Sequence, residues 1–261
     1  MRRVFALALL VLSGAAPEPK LARADDLAEQ LTMLAFDANP LWAAPAREGL
    51  SRWAGPMRLY VFGRAEERAD AQAALAALAR PTRLRLQVLD RVEAARAIPN
   101  AFVVADENLA LVFRGPLRAM LDNAFLDDPA AVEQFQAGVI DHAPCWVLPI
   151  FADPAHTIVR AAIIGADTTA GRAATGACIL HGLGGALGLM GPGAFLPDSA
   201  FAPSASRRLS RDDERMLTVL YGTSLRPGMS RDDVLAASAR AFAGARKTNP
   251  KPAARTPLKI P

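Results

Sequence analysis

The chain has 261 residues, of which 52% are hydrophobic and 21% charged, and a formal net charge of +4. Such a composition excludes an intrinsically disordered chain and supplies a core for one large domain or two small ones. Removing the first 24 residues takes away Arg2, Arg3, Lys20 and Arg23 with the single acid Glu18 and leaves +1, so charge gives no argument for nucleic-acid binding.

In chain order, Arg2 and Arg3 precede an apolar run over residues 4–12, and Ala22-Arg23-Ala24 has the small-x-small pattern of a signal-peptidase site. The sequence therefore predicts a signal peptide over residues 1–24 and a periplasmic or secreted chain starting at Asp25. The alternative is a short uncleaved anchor. No later stretch approaches the length of a membrane span, and no cysteine near the cleavage point carries a lipid. Residues 25–49 have loose helical periodicity, and residues 57–62 (Met-Arg-Leu-Tyr-Val-Phe) form the first core strand. Residues 69–79 are rich in alanine and leucine and predict a helix stopped by Pro81. Residues 84–89 alternate as a half-buried strand, residues 101–104 suit a central strand, and residues 109–114 are a further candidate strand. Helical spacing returns over 127–137. Residues 145–151 and 157–164 then read as two strands around the turn at Asp153-Pro154.

A glycine-rich helix follows in Cys178-Ile-Leu-His181-Gly182-Leu-Gly184-Gly185-Ala-Leu-Gly188-Leu-Met190, and then a long loop from Gly191 to Arg208. Two closing helices open with Ser210-Arg211-Asp212-Asp213 and Ser230-Arg231-Asp232-Asp233, both capping sequences with acids at the positive helix end. The domain is expected over residues 25–244. Beyond it, residues 245–261 hold Arg246, Lys247, Lys251, Arg255 and Lys259 with four prolines and no acid, a disordered basic tail. That tail is either a solvated end or a contact to anionic lipid or cell-wall polymer. Cys145 and Cys178 are the only cysteines, and in an exported chain a disulfide between them is expected; two buried thiols are the alternative.

The chemistry rests on the glycine-rich helix. A metzincin-type zinc peptidase uses His-Glu-x-x-His-x-x-Gly-x-x-His, with histidines one turn apart as ligands and the glutamate as general base. Laid on this chain, the first ligand is His181, the base position is Gly182, the second ligand position Gly185, the turning glycine Gly188 and the last ligand position Gly191. One ligand of three remains, and no base. Glycine neither binds metal nor takes a proton, and each glycine inside a helix costs about 1 kcal/mol relative to alanine. Close packing against the backbone of neighbours is the expected compensation, with His181 a hydrogen-bonded histidine lining a vacated cleft.

The apolar frame, Leu183-Gly184 and Ala186-Leu187-Gly188-Leu189, resembles the Gly-His-Ala-Leu-Gly-Leu run of matrixin-type metzincins, and residues 209–222 resemble the last helix of that fold. A wider set covers nearly the whole chain: Trp53-x-x-Pro56, Cys145 before the hairpin, Cys178-Ile179, Ala186-Leu187-Gly188-Leu189, Pro197-Asp198-Ser199-x-Phe201 and Leu225-Arg226-Pro227-Gly228-Met229. Together they are similar to the secreted bacterial domain-of-unknown-function family 2927. That resemblance implies an α+β, zincin-like mixed β-sheet with packed helices and a degenerate metzincin-type active-site helix. Relatives have two acids and a glutamine at the motif; this chain has His181, Gly182 and Gly185 instead.

The resulting expectation is a non-catalytic, pseudo-metallopeptidase-like binding protein of the cell envelope without a cofactor. Its remnant cleft lies around His181, Gly182, Gly185, Gly188, Gly191, Asp198 and Ser199, and its ligand is a peptide on an edge strand or an envelope protein. The rival is a hydrolase, either with zinc rebuilt on His142 and His181 together with Asp141 or Asp198, or metal-free around His181, Asp198 and Ser199. A purely structural envelope protein is the third reading. No phosphate loop, dinucleotide fingerprint or basic-aromatic pattern supports nucleotide or nucleic-acid binding.

Overall fold

A computed structural model describes residues 23–39, 42, 46–126, 128–192, 198–202 and 206–247. The expected signal peptide (apart from its last two residues), most of the basic tail and parts of the long loop lie outside the described residues.

The protein is α+β. Four strands run parallel in the order β6 (Ile158–Asp167), β4 (Ala101–Asp106), β2 (Met57–Phe62) and β3 (Leu86–Val88). A fifth, β5 (Cys145–Phe151), runs antiparallel to β6, and the two-residue β1 (Arg52–Trp53) pairs in parallel with Ile158 and Val159. The central strand β4 is the one that is apolar along its length, whereas β2 alternates between buried and half-buried residues. In β4, Ala101, Val103, Val104 and Ala105 are all buried.

On one face α2 (Ala65–Thr82) packs against α7 (Arg172–Ala186), and α7 lies against β5 and β6. Behind them α1 (Ala24–Phe36) packs on α8 (Arg211–Leu220) and α9 (Arg231–Lys247). The short α3 (Arg91–Arg96) joins β3 to β4. Near the other face lie α4 (Leu109–Arg114), α5 (Arg118–Ala124) and α6 (Pro129–Phe135), the last continuing as a π-helical turn, Gln136–Ile140. There Trp146 of β5 meets Phe113 and Phe135 edge-on, at centroid distances of 5.2 and 5.4 Å. Its indole fills the place of a side chain at the cross-strand residue Gly165, where a Cβ would lie 2.1 Å from the ring.

Three local expectations change. Residues 109–114 form a helix rather than a strand: Asn108 caps it by accepting from Leu111 N, and Leu109 and Phe113 are buried while Leu111 is 66% exposed. A strand would turn all three to one side. Pro81 sits inside the last turn of α2, and the helix ends one residue later at Thr82, capped by the left-handed Arg83, whose N–H donates to Ala79 O. The glycine-rich helix begins at Arg172, six residues before Cys178.

Both Ser-Arg-Asp-Asp sequences cap helices. Ser210 Oγ accepts from Asp213 N in α8, and Ser230 Oγ accepts from Asp233 N in α9. α9 continues to Lys247, three residues past the expected domain end.

Candidate functional site

Cys145 opens β5 and Cys178 lies within α7, and the two form a disulfide with Cα atoms 5.6 Å apart. This bridge ties the glycine-rich helix to the antiparallel strand. Alternation along β5 then sends Cys145 and Val147 towards α7, and Trp146 towards α4 and α6.

The glycines of α7 are filled from outside. A Cβ at Gly182 would lie 2.5 Å from Ile164 Cγ2, and one at Gly185 would lie 2.7 Å from Trp42 Cζ3 and 2.9 Å from Val147 Cγ1. At Gly184 the obstacle is the Phe201 ring, 2.1 Å away. These three glycines receive side chains rather than backbone, which corrects the expected packing: a branched methyl or a ring fills the space more completely than a strand backbone can. Backbone approach does explain Gly188, at φ +111 with Ser51 O 2.3 Å from its Cβ position, and Gly191, 2.2 Å from Met33 O. Gly188 turns the chain just after α7.

His181 is partly buried beside Trp42, with ring centroids 4.6 Å apart. Its Nε2 is sealed from water and has no hydrogen-bond partner among the described residues, in contrast to the hydrogen-bonded histidine expected. Burial pushes its pKa down to about 4, so the imidazole is neutral at physiological pH.

The other candidate residues do not converge on His181. His142 is exposed in the turn before β5, and the neighbouring Asp141 pairs with Arg114. Asp198 is exposed, whereas Ser199 is buried and donates through Oγ to Asp213. The buried Asp213 carboxylate also accepts from Ala200 N and Ser210 N, and burial holds its pKa above the usual carboxylate range. Ser199 thus fastens the long loop to the start of α8. Among the described residues no three histidine, cysteine or acidic side chains cluster as metal ligands. A zinc ion does not fit this helix, because the positions for its second ligand and its base are glycines whose side-chain space is already taken.

An open cleft of about 540 Å³ lies nearby. Leu148, Pro149 and Phe151 of β5 form one wall, and α6 with its π-helical extension contributes Phe135 and Val139. Trp42, Arg47 and Met190 complete it. His156, exposed at the hairpin as expected, stacks on Phe151. Trp42 is therefore shared: it fills the space at Gly185, donates from Nε1 to Cys145 O at 3.1 Å, and lines the cleft. All three guanidinium nitrogens of Arg47 are buried and have no hydrogen-bond partner among the described residues, and burial lowers its pKa to about 10.

Family comparison agrees with the sequence pattern. A family described as "Protein of unknown function (DUF2927)" matches residues 24–239. The chain belongs to this family. No curated protein and no solved structure matches it. The match begins at the first residue of α1 and ends inside α9, so it embraces the sheet, α7 and the cleft.

Trp42 and Arg47 were not among the sequence candidates. They stand between α1 and β1, in the part of residues 25–49 that lies beyond the end of α1 at Phe36, so the loose helical periodicity read there did not single them out. A lone tryptophan among alanine and proline was the one available signal. Tyr221 was missed as well. Its hydroxyl donates to Leu187 O at 2.9 Å and accepts from Trp53 N at 3.1 Å, pinning the end of α7 to β1.

Proposed function

We propose that the protein is an exported, zincin-like domain that binds peptides in the cleft beside β5 and does not hydrolyse them. The observation that carries this reading is the filling of Gly182 and Gly185 by Ile164, Trp42 and Val147 next to a cleft that stays open. Hydrolysis by a metal-bound water needs ligands and a base with fixed geometry. Restoring those side chains would require buried rings to move. Binding needs only the open cleft.

The order of elements supports the zincin-like part: a mixed sheet, an antiparallel strand beside the motif helix, a glycine turn, then α8. Among the described strands β5 pairs on one side only, with β6, and a strand of that kind can receive an extended peptide. Pro149 suits such an edge, since the residues flanking it pair with β6 and its own missing N–H faces away. The disulfide fits an oxidising compartment, and among the described residues no helix is long and apolar enough to cross a membrane.

The test incubates full-length protein with a pool of fluorescent apolar peptides, reads retention by anisotropy, and recovers the peptides for mass spectrometry. Retained, intact peptides are expected. Cleavage abolished by a chelator would replace this reading with the hydrolase.

A further inference from the structure

Among the described residues, Arg47 has the most buried polar atoms without a partner. Its Nε and both terminal nitrogens are sealed from water, and among the described residues they have no hydrogen-bond partner and no salt bridge. A buried, unpaired charge is costly, and folded proteins rarely keep one without a use. Other buried basic groups here are spent on structure. Arg52, for example, donates from Nη1 to Leu220 O and Leu225 O.

The surroundings define the missing partner. The cleft that Arg47 helps to line is walled by Trp42, Phe135, Leu148, Phe151 and Met190 with Gln134 and His156, and among the described residues no aspartate or glutamate lines it. An apolar cleft with one uncompensated guanidinium is complementary to an apolar body that carries a single carboxylate. The planar fork matches the two oxygens of that group, and binding it requires the guanidinium, sealed here, to turn towards the cleft. Every free peptide C-terminus supplies such a carboxylate. An internal stretch of apolar peptide does not.

We propose that Arg47 is an anchoring residue for the C-terminal carboxylate of an apolar peptide lying in this cleft, an inference that rests on the peptide-binding reading above. The protein would then select peptide ends, such as those released by proteolysis, over intact internal segments. The apolar lining holds the last side chains, and the guanidinium fixes the register by holding the terminus.

The experiment compares two pools of short, N-terminally fluorescent apolar peptides, one with free C-terminal acids and one amidated, on the full-length chain and on Arg47→Met. The free-acid pool is expected to bind the parent at least about tenfold more tightly, the scale of one charge-assisted fork. Arg47→Met should erase that preference, binding both pools as the parent binds the amides, while melting no lower than the parent. Should the variant not fold, the acid-to-amide ratio on the parent decides alone. Equal binding of acids and amides overturns the anchoring role and leaves peptide binding standing. Failure of both pools to bind overturns both. Loss of affinity for acids and amides alike in a folded Arg47→Met would also refute carboxylate capture, because a carboxylate anchor cannot act on an amide.

Discussion

Replacing Gly185 by alanine sets helix propensity against packing, and Gly244 supplies the control. An interior glycine costs a helix about 1 kcal/mol relative to alanine, so the substitution in open space stabilises by about that amount. At Gly244 in α9 nothing lies within 4 Å of the new Cβ. At Gly185 the same atom would stand 2.7 Å from Trp42 Cζ3 and 2.9 Å from Val147 Cγ1. Neither neighbour yields easily. Trp42 is 4% exposed and tethered to Cys145 O, and Val147 is fully buried in β5. Overpacking of this kind costs about 1 to 3 kcal/mol. Gly185→Ala should therefore melt between the parent's temperature and several degrees below it, taking about 2 to 4 °C per kcal/mol for a chain of this size. Gly244→Ala should melt slightly above the parent. Thermal unfolding followed by circular dichroism, with the disulfide intact, measures both. If Gly185→Ala rose in step with Gly244→Ala, the space at Gly185 would be open, and its filling would no longer support the proposed non-hydrolytic reading.

His181 makes stability depend on acid. Its pKa in the folded chain, about 4, lies below the ordinary 6.5, so between those values the unfolded chain binds more protons. The stability it confers is whole above pH 6.5 and drains as pH falls towards 4, by about 3 kcal/mol in all. His181→Phe should flatten that part of the urea-unfolding profile; parallel profiles would refute the burial of the ring. Asp213→Ala strands the Ser199 hydroxyl and the N–H groups of Ala200 and Ser210, and should cost at least about 2 kcal/mol in the same assay. A neutral result would mean that the carboxylate does not organise the loop. Replacing Cys145 and Cys178 by alanine removes a link across 33 residues and should cost about 4 kcal/mol. Free thiols in native protein, or an unchanged melting temperature, would contradict the bridge.

The parts of the fold that the sequence displayed are those governed by local rules. Residues 57–62 and 101–104 are in strands, the second running on to Asp106, because their apolar residues suit buried parallel pairing, and both Ser-Arg-Asp-Asp caps depend on residues three apart. Residues 109–114 misled because a short apolar run fits either period, and only the capping Asn108 and the exposed Leu111 distinguish them. At the site, that glycine stands where the metzincin pattern has its base and two ligands could be read from Gly182, Gly185 and Gly191 directly. What took their place could not. Ile164, Trp42 and Val147 arrive from β6, a distant irregular segment and β5, and only folding brings them together. Arg47 was hidden for the same reason, since a guanidinium in sequence carries no sign of whether an acid will face it.

Zinc content tests the central claim most directly. Full-length protein purified without a tag, dialysed and measured by elemental analysis should carry no stoichiometric zinc, and His181→Ala should read the same. Stoichiometric zinc in the parent that is lost in His181→Ala would contradict the filled, non-hydrolytic site and return the protein to the metallopeptidases.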